Sequence, residues 1–205
     1  MDLNQIRNII TNFIQRDWVP EQLTSELNYA QLRYFPIAVK MEKDLHQFKV
    51  KKGEGTPPLY VTGGVATIPS DYQEFISMNV PSGGSNYRVR KCDSELFDYL
   101  RESPIEFPTS AYPICRFTGT QIQFLPADIL YVNFVYYKKP PIPVYGYTTS
   151  HGFLEYNAST STQLDWDEQD QIAIIQIMLQ DLGVIATAEQ IRQKQNDSKR
   201  NTNAM

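Results

Sequence analysis

The chain has 205 residues, long enough for one domain or two small ones sharing a core. Its hydrophobic content of 41% supports a packed interior and argues against whole-chain disorder. Nineteen Lys and Arg against 23 Asp and Glu leave a formal net charge of −4, which disfavours a dedicated reader of duplex DNA.

The chain opens with a helical pattern. Leu3, Ile6, Ile10, Phe13 and Ile14 fall on one face at the 3.6-residue period, and Asp2 with Gln5 reads as a capping box. The start lacks the basic and apolar regions of a signal peptide, so a soluble protein, cytosolic at synthesis, is expected. Pro20 suits the first turn of a second helix with the stripe Leu23, Leu27, Ala30 and Tyr34. Pro36 is expected to end or kink it near Phe35, and Ile37, Met41 and Leu45 then read as a short third helix.

Lys49, Lys51, Lys52, Gly53 and Gly55, followed by Pro57 and Pro58, read as a linker. From Leu59 to Val144 the signals are those of strands. Thirteen Tyr, ten Phe and 13 Pro concentrate toward the middle of the chain, where aromatics favour strands and prolines punctuate them. The clearest unit is a hairpin: Tyr112, Ile114 and Phe117 lead to Thr118-Gly119-Thr120, and Ile122 and Phe124 then alternate with Gln121 and Gln123. Ile129 to Tyr137 is nearly continuous in apolar residues, which predicts a strand buried on both faces. Ser94 to Leu100 interrupts the strands with a short crossover helix.

Asp165, Asp167 and Glu168 then open an apolar helix, where the macrodipole favours acids. Ile172, Ile175, Leu179 and Leu182 give its stripe, and Gly183 its C-terminal stop. A short helix from Ala188 to Lys194 follows, and the polar end reads as a flexible tail. The resulting expectation is an α+β fold: a helical bundle formed by N- and C-terminal helices with an inserted antiparallel β domain. Its boundaries are expected at 1–56 and 161–195 for the bundle, 57–160 for the insert and 196–205 for the tail. No internal repeat is present.

Candidate chemistry is sparse. Neither Gly63-Gly64 nor Gly83-Gly84 leads into a P-loop, and no nucleophile elbow occurs. His46 and His151 are the only histidines, and Cys92 and Cys115 alone cannot form a zinc site. With so few cysteines, the chain reads as one made in a reducing compartment. The carboxylates Asp165, Asp167, Glu168 and Asp170 could serve a hydrolase or a hard cation, but capping explains them as well. Tyr87, Arg88, Arg90 and Lys91 mix aromatic and basic character, which suits single-stranded nucleic acid or simply an exposed strand face. No run is long and apolar enough to cross a bilayer. The expectation is a protein that is not an enzyme, with no catalytic residue, cofactor, metal or membrane partner.

The serial order of several short motifs carries a resemblance. Asp44-Leu45-His46-Gln47-Phe48-Lys49-Val50 precedes Ile68-Pro69-Ser70-Asp71-Tyr72, then Tyr112-Pro113-Ile114-Cys115 and Ile122-Gln123-Phe124-Leu125-Pro126. Val132-Asn133-Phe134-Val135-Tyr136-Tyr137 follows, then Ser161-Thr162-Gln163-Leu164-Asp165-Trp166 and Leu182-Gly183-Val184. This order resembles the head–tail connector (ring or adaptor) proteins of crAss-like and related short-tailed bacteriophages. The resemblance implies a structural virion protein at the neck, one of many copies in a dodecameric ring. Its partners would be the portal protein, downstream tail or ring proteins, and genomic DNA sliding past without sequence-specific binding. By position, it implies a portal-docking tail of Asn196, Asp197, Ser198, Lys199, Arg200, Asn201, Thr202, Asn203, Ala204 and Met205. A minor tail component is the alternative, and a carboxylate-dependent hydrolase using Asp165, Asp167 and Glu168 ranks below it. A nucleic-acid-binding module ranks last.

Overall fold

A computed structural model describes residues 1–15, 18–150 and 153–202. In chain order the elements are α1 (Leu3–Ile14), α2 (Pro20–Lys40), β1 (Lys49–Lys52), β2 (Leu59–Tyr60), β3 (Val65–Thr67), β4 (Tyr72–Ser82), β5 (Ser85–Arg88) and β6 (Arg90–Lys91). They continue with α3 (Ser94–Glu102), β7 (Ile114–Thr118), β8 (Gln121–Leu125), β9 (Tyr131–Lys138), β10 (Tyr147–Ser150), β11 (Phe153–Tyr156), α4 (Glu168–Asp181) and α5 (Ala188–Thr202). The fold is α+β. It divides into a helical unit, Met1–Asp44 with the chain from Pro140 onward, and a β unit, Leu45–Lys139.

In the helical unit, α1 begins with the capping box expected of Asp2 and Gln5, and buries Leu3, Ile6, Ile9 and Ile10. Helix α2 buries the expected stripe and runs unbroken through Pro36 to Lys40. Proline there frees the carbonyl of Leu32 from its helical partner. Leu32 and Pro36 both lie on the exposed side of α2, where water can satisfy that carbonyl, so the helix continues. The expected third helix is absent: a turn follows Lys40, and only a 3₁₀ turn at His46–Phe48 precedes β1.

Helix α4 packs against α2, α1 and α5. Asp167 caps its start by accepting the Asp170 amide at 2.8 Å. At its end the Gly183 amide donates to Gln180 and that of Val184 to Leu179, the paired bonds of a Schellman motif, with Gly183 at φ 78° as that motif requires. Helix α5 continues to Thr202, so the stretch expected to be a flexible tail is helical over 196–202. Its Gln, Lys, Arg and Glu are sound helix formers despite their polarity, and Ile191 and Gln195, one turn apart, are both buried. Asn203, Ala204 and Met205 lie outside the described residues.

The β unit holds two sheets. One has the order β1-β9-β4-β5, with β2 also pairing β9, and the other β3-β8-β7-β6. All pairs are antiparallel except β6 with β7, which α3 joins as a crossover, as the sequence suggested. The β7–β8 hairpin turns at Gly119-Thr120, within the expected connection, with Thr118 paired to Gln121. One core of Met78, Val89, Cys115, Ile122, Phe124, Val132, Phe134 and Tyr136 draws on both sheets. The expectation for β9 was burial on both faces. Instead Val132, Phe134 and Tyr136 are buried while Asn133, Val135 and Tyr137 are half-buried, the alternation of a strand with one core face.

The observed boundaries also replace 57 and 160. Lys49–Lys52 is an edge strand on β9, not a linker: the exposed Lys49 and Lys51 alternate with Val50, and lysine is a usual guard of a sheet edge. Residues 140–160 belong with the helices although they contain strands. Tyr145 anchors them, its hydroxyl donating to Asn4 at 3.1 Å and its amide to Thr24 at 3.3 Å, with the Arg7 guanidinium 5.7 Å from its ring.

Candidate functional site

The four clustered carboxylates do not converge on one point. Asp167 is used in capping α4. Asp170, 2% exposed, accepts the Tyr34 hydroxyl at 2.7 Å and the Lys43 ammonium. Glu168 accepts from the Gln195 side chain on α5. The hydrogen bond to Asp170, then that to Tyr34, pushes the Lys43 pKa up, and burial pushes the Tyr34 phenol up. Around this network Trp166 donates its indole N–H to Gln31 at 3.1 Å and sits edge-on to Tyr34, with ring centres 5.3 Å apart. Gln31 in turn donates to the Pro141 carbonyl at 2.9 Å. These groups tie together segments from both ends of the chain. Among the described residues, no three His, Cys, Asp or Glu side chains gather as a metal site. His46 is exposed in its turn, and His151 lies outside the described residues.

The aromatic and basic run 87–91 is divided by Val89, where the chain passes from β5 in one sheet to β6 in the other. Val89 is buried, and its amide donates to Met78. Lys91 lies over Phe117 and Phe75, at 4.9 and 5.6 Å from the ring centres, beside the stacked pair Tyr72 and Phe117. Lys139, Ser70 and Thr120 complete a shallow groove there. Burial pushes the Tyr72 phenol up to about 12.

Arg88 and Arg90 line a different groove of about 400 Å³. Leu100, Phe107, Pro108, Tyr112 and Ile114 supply its apolar walls, and Glu106 lies on it too. Ile105 is almost fully exposed, Tyr112 and Tyr99 largely so, and Phe107 about half. Sequence reasoning missed this groove because its walls come from the irregular 103–113 connection, which has no strand or helix period. The available signal was three large apolar residues, Ile105, Phe107 and Tyr112, within a proline-punctuated loop.

The cysteines are adjacent in chain pairing but face opposite sides of the sheet. Cys115 lies in the main β core, and burial pushes its thiol up to about 12. Cys92 packs instead with Phe97, Ile114 and Leu125 beneath α3, and its pKa is also raised by burial. Neither thiol is primed as a nucleophile.

Of the ten residues expected to dock a portal, Asn196 and Asp197 are exposed on α5, just beyond the buried Gln195. Ser198, Lys199, Arg200, Asn201 and Thr202 continue the helical backbone. No protein-family model matches the chain. Comparison with curated proteins finds no match either. No helix among the described residues is long and apolar enough to cross a membrane.

Proposed function

We propose that this chain is a structural virion protein, a head–tail connector that assembles as a ring, dodecameric, between portal and tail and lines the DNA conduit. The observation that carries the reading is the return of the chain. Helices from both ends form one unit and the β unit is inserted between them, which is the helix–β–helix plan that the resemblance implies. Both units expose large apolar residues, among them Tyr29 and Ile37 on α2, Met41 just after it, Phe107 and Tyr112 on the β unit, and Phe153 on β11. Where such residues gather into contiguous patches they mark sites of protein association.

In this reading the protein is not an enzyme, and its acid cluster caps and pairs helices. The formal charge of −4 keeps non-specific affinity for passing DNA low, because few cations are available to neutralise phosphates. The end of α5 with the residues beyond it, Asn196 to Met205, is the portal-docking segment. Antibody labelling of purified virions tests the reading. Label at the neck supports it, label on the distal tail replaces it with a minor tail protein, and absence from virions overturns both.

A further inference from the structure

We propose that the β10–β11 arm of one copy inserts Phe153 into the Arg88/Arg90 groove of a second copy, with Glu155 pairing with one of those arginines. The inference rests on the reading of the chain as a self-assembling subunit, and it names the two faces that meet.

The arm is a two-stranded ribbon that pairs only with itself among the described residues. A lone two-stranded hairpin is marginal in water, so an uncovered one calls for a partner. Beside the exposed Thr148, Thr149 and Glu155 it presents two large apolar side chains to solvent, Phe153 at 74% exposure and Leu154 at 48%. Its base is fixed. Tyr145 packs on Tyr156 with ring centres 5.0 Å apart, and Tyr147 donates its hydroxyl to Glu21 at 3.0 Å. A fixed base lowers the ordering cost of docking the arm.

The register determines what the arm presents. Ser150 pairs with Phe153 and Thr148 with Glu155, so Phe153 and Glu155 share one face, about 7 Å apart along the strand. The groove offers the complement. Its apolar walls suit a phenyl ring, and its volume of about 400 Å³ falls in the range of pockets that bury a ligand. Arg88 and Arg90 are exposed and flank the buried Val89, so both leave the same side of the chain at the same two-residue spacing. Neither arginine, nor Glu155, has an ion-pair partner among the described residues. Glu106 also lines the groove, which leaves one net positive charge for the incoming carboxylate. An apolar anchor with an adjacent charge pair is the usual composition of a binding hot spot. Arm and groove are different surfaces, so the contact is heterologous, and repetition of it closes a ring or extends a chain.

The test mixes two singly substituted full-length proteins, Thr148→Cys on the arm and Thr109→Cys at the groove, both at exposed positions. A short bismaleimide then bridges any pair brought together. Wild-type protein and each variant alone serve as controls for Cys92 and Cys115, and circular dichroism verifies the fold. A covalent dimer found only in the mixture supports the proposal; its absence at the highest attainable concentration overturns it. Adding Arg88→Glu and Arg90→Glu to the groove variant should cut dimer yield about tenfold or more, and Glu155→Arg on the arm variant should restore it. Yields unchanged by charge reversal overturn the pairing. Neck labelling without the bridged dimer removes this interface and leaves the connector reading. A bridged dimer from a protein absent from virions does the reverse.

Discussion

Tyr34 on α2 donates its hydroxyl to Asp170 on α4 at 2.7 Å, joining residues 136 positions apart in the chain. Lys43, just beyond α2, reaches the same carboxylate oxygen. One buried acid therefore gathers a phenol and an ammonium from the N-terminal segment onto the C-terminal one, where the two ends of the chain close the helical unit.

This arrangement predicts an asymmetry between its two charged partners. Asp170 is almost wholly buried, whereas 29% of the Lys43 side chain is exposed. Lys43→Met leaves a buried carboxylate supported by Tyr34 but without its cation, and should destabilise by about 3 kcal/mol. Asp170→Asn keeps an acceptor for Tyr34 and lets Lys43 turn to water, so about 1–2 kcal/mol is expected. Urea denaturation of both variants at neutral pH measures the order. Equal losses would mean that the cation does not stabilise the carboxylate.

The β unit should lose stability in alkali. Burial raises the Cys115 thiol from 9.0 to about 12 and the Tyr72 phenol from 10.0 to about 12. A raised pKa means that the folded chain holds a proton which the unfolded chain has released. Stability therefore falls as pH rises above about 9, first through Cys115 and then, above about 10, through Tyr72 as well. Each group contributes a slope of at most about 1.4 kcal/mol per pH unit. Denaturation midpoints measured from pH 8 to 11 should decline, and Cys115→Ala should reduce the slope that begins near pH 9, leaving the share of Cys92, whose thiol burial also raises.

Legibility in the sequence followed periodicity and caps. Asp2 with Gln5, the α2 stripe, the β7–β8 hairpin and the Gly183 stop could each be read because a local pattern and a local hydrogen bond agree. Pro36 misled because its cost depends on whether the freed carbonyl meets water, which is a property of the folded surface. Lys49–Lys52 misled because an edge strand needs only one apolar residue, Val50, to face the core. The Arg88/Arg90 groove was hidden for another reason: its walls are spread over β6, α3 and an aperiodic loop, and only the parallel β6–β7 pairing assembles them. Residues 196–202, expected as a flexible tail, are helical instead, because polar residues that are good helix formers can extend a helix whose buried face is set earlier, at Ile191 and Gln195.

The base of the arm is sterically closed. A Cβ on Gly146 would lie 2.6 Å from the Thr160 carbonyl carbon and 2.8 Å from the Asn157 carbonyl oxygen. Both are backbone atoms, so relief requires movement of the segment that anchors β11. Gly146→Ala should destabilise by about 1–3 kcal/mol. Hydrogen exchange should show the loss of protection concentrated in β10 and β11, with the β unit unchanged. Uniform loss across the chain would mean that the arm's base is not the strained element.

The last turns of α5 separate folding from docking. Ile191 is fully buried and Gln195 nearly so, while Asn196 and Asp197 are exposed. A chain ending at Gln195 keeps the buried pair and should lose less than about 1 kcal/mol, as surface changes usually do. Ile191→Ala opens a cavity where α5 meets its neighbours and should cost about 2–5 kcal/mol. In the connector reading the consequences for assembly run the other way. The shortened chain folds yet is missing from virions, because the portal-docking segment is gone, whereas Ile191→Ala still assembles at a temperature below its lowered melting point. Thermal denaturation and immunoblots of purified particles measure the two effects separately. Normal incorporation of the shortened chain would move the docking surface elsewhere on the molecule.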